Sequence, residues 1–427
     1  MLSHIHYERD VVLTKASQNE ITRQQNTITL IASENYISDH VLNAYLKAFL
    51  SINKYAEGYP NLRYYGGCQY VNIIEDLARE RAKQLFNVGY ANVQPHSGSQ
   101  ANAAVFMALL NPGDCLLGMG LSDGGHLTHG ASVNFSGKFY QSIRYGVNSQ
   151  GFIDYAQIEH LAQKHKPKLI IAGGSAYSRH IDWKRFREIA DQVGAFVMAD
   201  ISHIAGLIAA QLHPSPIDYA DVITTTTHKT LRGPRGGIIL ARDAQFAKKH
   251  KLDQAVFPGL QGGPFMHVIA AKAAAFYEAL QPNFKIYQAQ IIKNAYTMAA
   301  TLQERGLSIV SGGTDNHLFL VDLRAQAVTG KAVEQQLEQA NIIVNKNMLP
   351  QDLKPASITS GLRIGTPAIT TRGCLEREMQ IIAHWIADII SDLDNQDQIN
   401  SIKNEVVKLC QRFPVYTHLP SSMLHDG

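Results

Sequence analysis

From about residue 90 onward, short apolar runs alternate with stretches of helical spacing. Lys168-Leu169-Ile170-Ile171-Ala172 reads as a buried strand. Between Trp183 and Val193 the residues Trp183, Phe186, Ile189, Ala190 and Val193 recur at the spacing that lines one face of a helix. Ala195-Phe196-Val197-Met198-Ala199 is the next strand, and Asp221-Val222-Ile223 and Gly237-Ile238-Ile239-Leu240-Ala241 follow. Strand, helix and strand at this spacing predict βαβ units, a largely parallel central sheet and the α/β class. Residues 1–30 are polar and amphipathic and predict an arm and a helix. After about 285 the pattern changes to a long helix over 286–304, strands near Leu318-Phe319-Leu320-Val321 and Ile342-Ile343-Val344, a helix near 375–393 and a terminal helix. The expected organisation is an N-terminal arm (1–30), a large domain (31–285) and a small C-terminal α/β domain (286–427). A chain of 427 residues is too long for one compact core, which agrees with two domains. The tail over 420–427 is expected to be mobile.

One of these strands ends in chemistry. The run after Val222-Ile223 continues as Thr224-Thr225-Thr226-Thr227 and stops at His228-Lys229-Thr230, before Leu231-Arg232-Gly233-Pro234-Arg235-Gly236-Gly237. β-Branched residues favour an extended strand, so Lys229 is held on a rigid element at a tight turn. Most lysines are surface charges. A lysine held this way can instead be desolvated, neutral and nucleophilic toward a carbonyl carbon. Asp200 ends the preceding strand, where a buried acid needs a cation or hydrogen bonds. A protonated pyridine nitrogen is one such partner, and a helix N-cap is the plain alternative. His96-Ser97-Gly98-Ser99-Gln100-Ala101-Asn102 precedes an apolar helical run, Ala103 to Leu110. Small residues at a helix start expose N–H groups to a phosphate, although a serine N-cap without a ligand looks the same. Parallel sheets bind ligands outside the carboxyl ends of their strands, so Asp200 and Lys229 can share one site.

Composition removes other classes of function. Hydrophobic residues make up 45% of the chain and charged residues 18%, ordinary for a soluble globular protein. The net charge is +3, and the densest basic cluster, Lys248-Lys249-His250-Lys251, reads as a solvated helix face, so no nucleic-acid partner is expected. Cys68, Cys115, Cys374 and Cys410 form no C-x-x-C pair, which points to a reducing compartment and away from a cysteine zinc site. No apolar run approaches the ~20 residues that cross a bilayer. The opening residues lack a basic segment followed by an apolar one, so no signal peptide and a cytoplasmic location are expected. His126 and His129 form an H-x-x-H pair, but with no third ligand evident no metal is expected.

A phosphate loop, a strand-end acid and a strand-end lysine, in that order, match a fold-type I pyridoxal-phosphate enzyme, the aspartate-aminotransferase-like class. Longer words narrow the match: Leu30-Ile31-Ala32-Ser33-Glu34-Asn35-Tyr36, Asn53-Lys54-Tyr55-Ala56-Glu57-Gly58-Tyr59-Pro60, Arg63-Tyr64-Tyr65-Gly66-Gly67, Gly124-Gly125-His126-Leu127-Thr128-His129-Gly130, Gln261-Gly262-Gly263-Pro264, Ser311-Gly312-Gly313-Thr314-Asp315-Asn316-His317 and Arg363-Ile364-Gly365-Thr366-Pro367-Ala368. Together they resemble serine hydroxymethyltransferase from about residue 10 to 416.

The resemblance implies an enzyme that exchanges a one-carbon unit between L-serine and tetrahydrofolate, with glycine as product and pyridoxal 5'-phosphate as cofactor. It implies that Lys229 holds the cofactor as an internal aldimine and that Asp200 keeps the pyridine nitrogen protonated. Ser97, Gly98 and Ser99 would cradle the phosphate, with Tyr55, Gly262 and Gly263 reaching it from the partner subunit of a homodimer, or of a tetramer. His126 would stack on the ring, and Ser175 and His203 would bond its oxygen. Arg363, helped by Ser33 and Tyr65, would take the amino-acid carboxylate. Glu57 from the neighbouring chain would be the acid–base group for the serine hydroxyl, and His228 would pack near the aldimine. Leu121, Gly125, His126, Leu127, Asn347 and Pro355-Ala356-Ser357 would face the folate.

Three positions depart from the family pattern: Ser202 where alanine is usual, Asp123 before Gly124-Gly125-His126, and Pro355-Ala356-Ser357 in a segment that often reads Ser-Pro-Phe. They bear on folate rather than on the lysine chemistry. A folate-independent aldolase on β-hydroxy amino acids such as allo-threonine would share every aldimine residue, and a non-catalytic binder would have no need of Lys229, Asp200, Glu57 and Arg363.

Overall fold

The computed structural model describes residues 10–47 and 54–417. Residues 1–9 of the expected arm and the tail over 420–427 lie outside the described residues. A seven-stranded sheet organises the larger part. Its strands in chain order are β1 (Tyr90–Asn92), β2 (Cys115–Met119), β3 (Gln141–Tyr145), β4 (Leu169–Ala172), β5 (Phe196–Asp200), β6 (Val222–Thr226) and β7 (Gly237–Ala241). The spatial order is β1-β7-β6-β5-β4-β2-β3. Pairings from β3 through β6 are parallel, and only β7 is reversed, antiparallel to both β6 and β1. The sheet is therefore mostly parallel, as expected, with one exception: the loop of residues 227–236, which has no helix, joins β6 to β7, and parallel neighbours need a longer crossover.

Strand alternation divides the core. Leu116, Leu169, Ile171, Met198, Val222 and Ile239 join one apolar cluster, while Leu117, Ile170, Val197, Ala199, Ile223 and Ile238 join another. Successive side chains on a strand point to opposite faces. Both faces are covered, so these strands read as continuous apolar runs.

The helices begin and end where local chemistry dictates. Helix α1 (Val11–Asn26) starts at Asp10, whose carboxylate accepts from Leu13 N. Helix α2 (Gly98–Leu109) starts at Ser97, whose hydroxyl accepts from Gln100 N. Helix α3 (Trp183–Val193) is capped by Asp182 and stopped by Gly194 at φ +70°, and it buries Trp183, Phe186, Ile189 and Ala190. This is the helix the apolar spacing predicts.

Helix α4 (Met266–Ala279) packs under the first core, and α5 (Pro282–Glu304) leads away from it. Phe284 of α5 belongs to the first core, whereas Met298, Ala299 and Leu302 belong to a separate C-terminal one. That second core encloses an antiparallel sheet of β8 (Ser308–Ile309), β9 (Leu318–Asp322), β10 (Asn345–Asn347) and β11 (Gly361–Gly365), with helices α6 (Glu376–Ser391) and α7 (Gln396–Arg412). Ile28 and Leu30 also sit in this core, and Ile28–Thr29 pairs in parallel with Ile342–Ile343. Arg372 locks the arrangement: it donates to the carbonyls of Gln24, Gln25 and Thr27 at the end of α1 and of Cys410 and Phe413 at the end of α7.

Candidate active site

A cleft of about 590 Å³ opens at the carboxyl ends of the parallel strands. Gly174 and Ser175 follow β4, Asp200 ends β5 with Ser202 and His203 after it, and Thr226 ends β6 with His228 and Lys229 after it. The segment after β2 adds Leu121, Gly125, His126, Leu127 and His129, and Ser97, Gly98 and Ser99 stand at the start of α2. The C-terminal part closes it with Asn347, Ala356, Thr359 and Arg363, and Ser33 joins from near the N-terminus.

Asp200 is the last residue of β5 and is buried. Asn102 Nδ2 donates to its Oδ2 at 2.9 Å, His129 Nε2 lies 3.1 Å from the same oxygen, and Ser202 N donates to Oδ1 at 3.1 Å. Burial works against the charged carboxylate, but His129, His126 and Asn102 outweigh it and hold the pKa below the ordinary value. His126, His129 and Asp200 bring their ligand atoms within 4.8 Å of one another, which corrects the expectation that the H-x-x-H pair has no third group. Asp200 comes from a distant strand, so spacing alone could not place it. His126 Nδ1 already accepts from Thr128 N, and burial pushes its pKa down to about 4, so the ring is neutral at neutral pH.

Lys229 is buried on the turn that leaves β6, and its carbonyl accepts from Asn35 Nδ2 and Arg232 N. Burial lowers its pKa to about 8; Asp200 opposes the shift, and Arg363 and Arg235 add to it. His228 beside it is held neutral by burial, with its pKa near 3, and its Nε2 lies 3.2 Å from Arg235 Nη1. His203 Nδ1 lies 3.2 Å from His317 Nε2, and both rings are buried and kept neutral, first by desolvation and then by the nearby cations.

The hydroxyl of Ser202 accepts from Thr226 N, and Thr226 Oγ1 donates back to the Ser202 carbonyl. The extra hydroxyl at this position thus ties the turn after β5 to the end of β6. Gly98 fits against the same threonine, and a Cβ there would lie 2.7 Å from Thr226 Cγ2. Arg363, on β11, donates through Nη1 to Ser175 O and through Nε to Asn345 Oδ1, and burial lowers its pKa to about 10. No carboxylate among the described residues pairs with it.

The other two departures touch the cleft only through Ala356. Asp123 accepts from Ser122 Oγ and Val147 N and is not a lining residue. Of Pro355-Ala356-Ser357 only Ala356 lines the cleft, and the Pro355 carbonyl instead caps the turn by accepting from Ile358 N and Thr359 N.

Besides Pro355 and Ser357, five expected residues are absent from the cleft of their own chain: Tyr55, Glu57, Tyr65, Gly262 and Gly263. They form a second, coherent patch. A Cβ on Gly262 would lie 3.2 Å from Glu57 Oε1, one on Gly263 would lie 3.6 Å from the Tyr55 ring, and the rings of Tyr55 and Tyr65 are 5.5 Å apart. Tyr55 and Tyr65 are exposed, and so are Leu62, Tyr64 and Tyr70, their neighbours along the chain. Asn102, His317 and the role of His129 were not found from the sequence; the long words containing them marked the segments, and only their contacts assign the side chains.

The cleft fits a group that carries a phosphate, a carbonyl and a protonatable ring nitrogen. It offers a glycine-lined helix N-terminus, a buried amine and a buried carboxylate held in its charged form. The family model for serine hydroxymethyltransferase matches residues 7–386. Over 408 residues the chain is 60% identical to a serine hydroxymethyltransferase of Legionella pneumophila (strain Lens), covering 95% of this chain and 97% of the relative. It is 58% identical over 410 residues to one of Coxiella burnetii (strain Dugway 5J108-111), covering 96% and 97%. It is likewise 58% identical over 407 residues to one of Dichelobacter nodosus (strain VCS1703A), covering 95% and 97%.

Proposed function

This chain belongs to the serine hydroxymethyltransferase family, a fold-type I pyridoxal-phosphate enzyme interconverting L-serine and glycine with tetrahydrofolate, and we propose the following roles for its residues. The reaction passes a hydroxymethyl group between serine and the folate, giving 5,10-methylenetetrahydrofolate in the forward direction. When bound, the cofactor withdraws electrons from the α-carbon of the amino acid.

Lys229 is the anchoring amine, and a pKa near 8 leaves part of it neutral and nucleophilic at neutral pH. Asp200 holds a proton on the ring nitrogen, and His129 and Asn102 hold Asp200. Ser97, Gly98 and Ser99 take the phosphate on the N-terminus of α2. His126 covers the ring, Ser175 and His203 serve its oxygen, and His228 packs beside the amine. Arg363 takes the substrate carboxylate in a two-pronged hydrogen bond, next to Ser33. Leu121, Gly125, Leu127, Asn347 and the Pro355-Ala356-Ser357 segment receive the folate.

Tyr55, Glu57, Tyr65, Gly262 and Gly263 act in the cleft of a second copy, so the working unit is a homodimer or a tetramer built from one. Glu57 moves the proton of the serine hydroxyl there. What supports the shared site is that these five cluster on one patch, exposed or partly exposed, outside their own cleft. The domains divide at about 30 and 285, and the enzyme works in the cytoplasm; no described helix is long and apolar enough to cross a membrane.

The observation that carries this assignment of roles is the convergence of Lys229, Asp200 and Arg363, from three separate segments, on one cleft. The experiment is serine turnover with and without tetrahydrofolate. Strong dependence on the folate is expected, and glycine formation indifferent to it would overturn the folate assignments.

A further inference from the structure

Lys272 is a buried cation that none of these roles uses. It lies on α4, 1% exposed, and its Nζ donates to three backbone carbonyls: Val93 at 2.6 Å, Gly237 at 2.8 Å and Pro95 at 3.1 Å. An ammonium has three N–H donors, so the charged form satisfies all three carbonyls. A neutral amine has only two and would give up one of the three contacts. Burial pushes the pKa down to about 7 and Glu75 opposes the shift, but the three-carbonyl geometry argues for the charged form. No carboxylate among the described residues forms an ion pair with Lys272, and Glu75 is engaged by Arg63 at 2.5 Å.

The three carbonyls lie under the phosphate cradle. Pro95 stands two residues before Ser97, the N-cap of α2, and Gly237 N donates to the Pro95 carbonyl. A Cβ on Gly237 would lie 2.3 Å from Ser97 O and 3.0 Å from Gly98 N, and one on Gly236 would lie 2.5 Å from Lys272 Cε. Two adjacent glycines thus make room for the lysine on one side and for the cradle backbone on the other.

We propose that Lys272 is a positioning residue for the cofactor phosphate: it fixes the backbone under Ser97 and Gly98 and places there a positive charge, without an ion-pair partner among the described residues, that a phosphate dianion neutralises. This rests on the reading of Ser97–Ser99 as the phosphate site. A buried charge without a carboxylate partner is costly, and an anion bound above it offsets that cost. The effect acts on the phosphate and leaves the rest of the cofactor alone.

The test compares two ligands that differ only in the phosphate, pyridoxal 5'-phosphate and pyridoxal, binding to cofactor-free protein by fluorescence titration. Lys272→Met is expected to weaken the phosphorylated ligand about tenfold or more while pyridoxal stays within about twofold. Equal weakening of both ligands would reduce Lys272 to a structural role, and no weakening would remove it altogether; either overturns the proposal. If the methionine variant does not fold, Lys272→Gln, which keeps donors for two of the carbonyls, is measured the same way with the same criteria. Gly98→Ala serves as the control on the cradle. If Gly98→Ala discriminates between the ligands and Lys272→Met does not, the inference fails alone. If neither does, the cradle reading fails with it.

Discussion

His129 Nε2 lies 3.1 Å from Asp200 Oδ2, and both side chains are buried. The histidine spacing that suggests a metal pair in the sequence instead orients an acid. Removing the contact should make the acid easier to protonate and weaken its hold on the cofactor's ring nitrogen. For His129→Leu, kcat/KM for serine is expected to fall roughly tenfold, the effect of about one pKa unit on Asp200. The KM for serine should change little. Steady-state kinetics check this, and an unchanged kcat/KM would mean that the contact does not tune Asp200.

Lys229→Ala and Glu57→Gln should each be inactive in folate-dependent transfer. If Glu57 serves the neighbouring cleft, mixing the two after subunit exchange should restore roughly a quarter of the wild-type rate. Half of the dimers are then hybrids, and each hybrid holds one intact site. Activity that stays at background after verified exchange would place Glu57 in its own chain's chemistry or outside it.

Arg363 already uses Nε and Nη1 on Asn345 and Ser175. Lysine at this position keeps a charge but loses the planar fork. Arg363→Lys is expected to raise the KM for serine roughly tenfold or more. The visible absorbance of the bound cofactor should persist, because Arg363 is not an anchor. A normal KM would remove it from substrate binding.

Arg372 places all its donors on five carbonyls at the ends of α1 and α7. Arg372→Met leaves those carbonyls short and should cost about 3 kcal/mol. Denaturant unfolding checks the size, and limited proteolysis should show earlier cleavage near α1. Unchanged stability would show that water replaces the guanidinium at no cost.

His213 and His317 are held neutral by burial, with pKa values lowered to about 4 and about 3. The unfolded rings titrate near 6.5, so below that pH the unfolded state binds more protons than the folded one. Stability is therefore fully present above about pH 6.5 and falls as the pH drops toward the folded values. Each ring contributes a loss of about 2 kcal/mol by pH 5. Denaturant midpoints measured between pH 7 and 5 should fall, and His213→Asn should flatten the slope. A slope identical to wild type would exclude His213 as a source.

The helix of residues 183–193 was legible because its period of apolar residues is a local property, as was its stop at Gly194. The buried strands were legible as apolar runs, although their assignment to two faces was not. Of the small C-terminal sheet only Leu318–Asp322 was visible: Ser308–Ile309 and Asn345–Asn347 are short and polar in part, Gly361–Gly365 has glycines at both ends and Arg363 at its centre, and Ile342–Ile343 pairs with Ile28–Thr29 instead. Ile28 and Leu30 read as part of an arm, yet they complete a core whose other buried members start at Met298. Pairing over such a distance leaves no local trace.

The α/β class is legible in the sequence alone, as are, through its long words, the family and its cofactor, and the sequence singles out Lys229, Asp200 and the Ser97–Ser99 loop as candidates. These are decided by residue type and by neighbours along the chain. Only the tertiary structure decided that His129 holds Asp200, that Ser202 clasps Thr226, that Asp123 stays out of the cleft, and that Tyr55 and Glu57 stand on a separate patch with Gly262 and Gly263. Each of these depends on where a side chain points after distant strands and turns have packed. Burial and hydrogen-bond partners, which set the charge of every group in the cleft, exist only once that packing is complete.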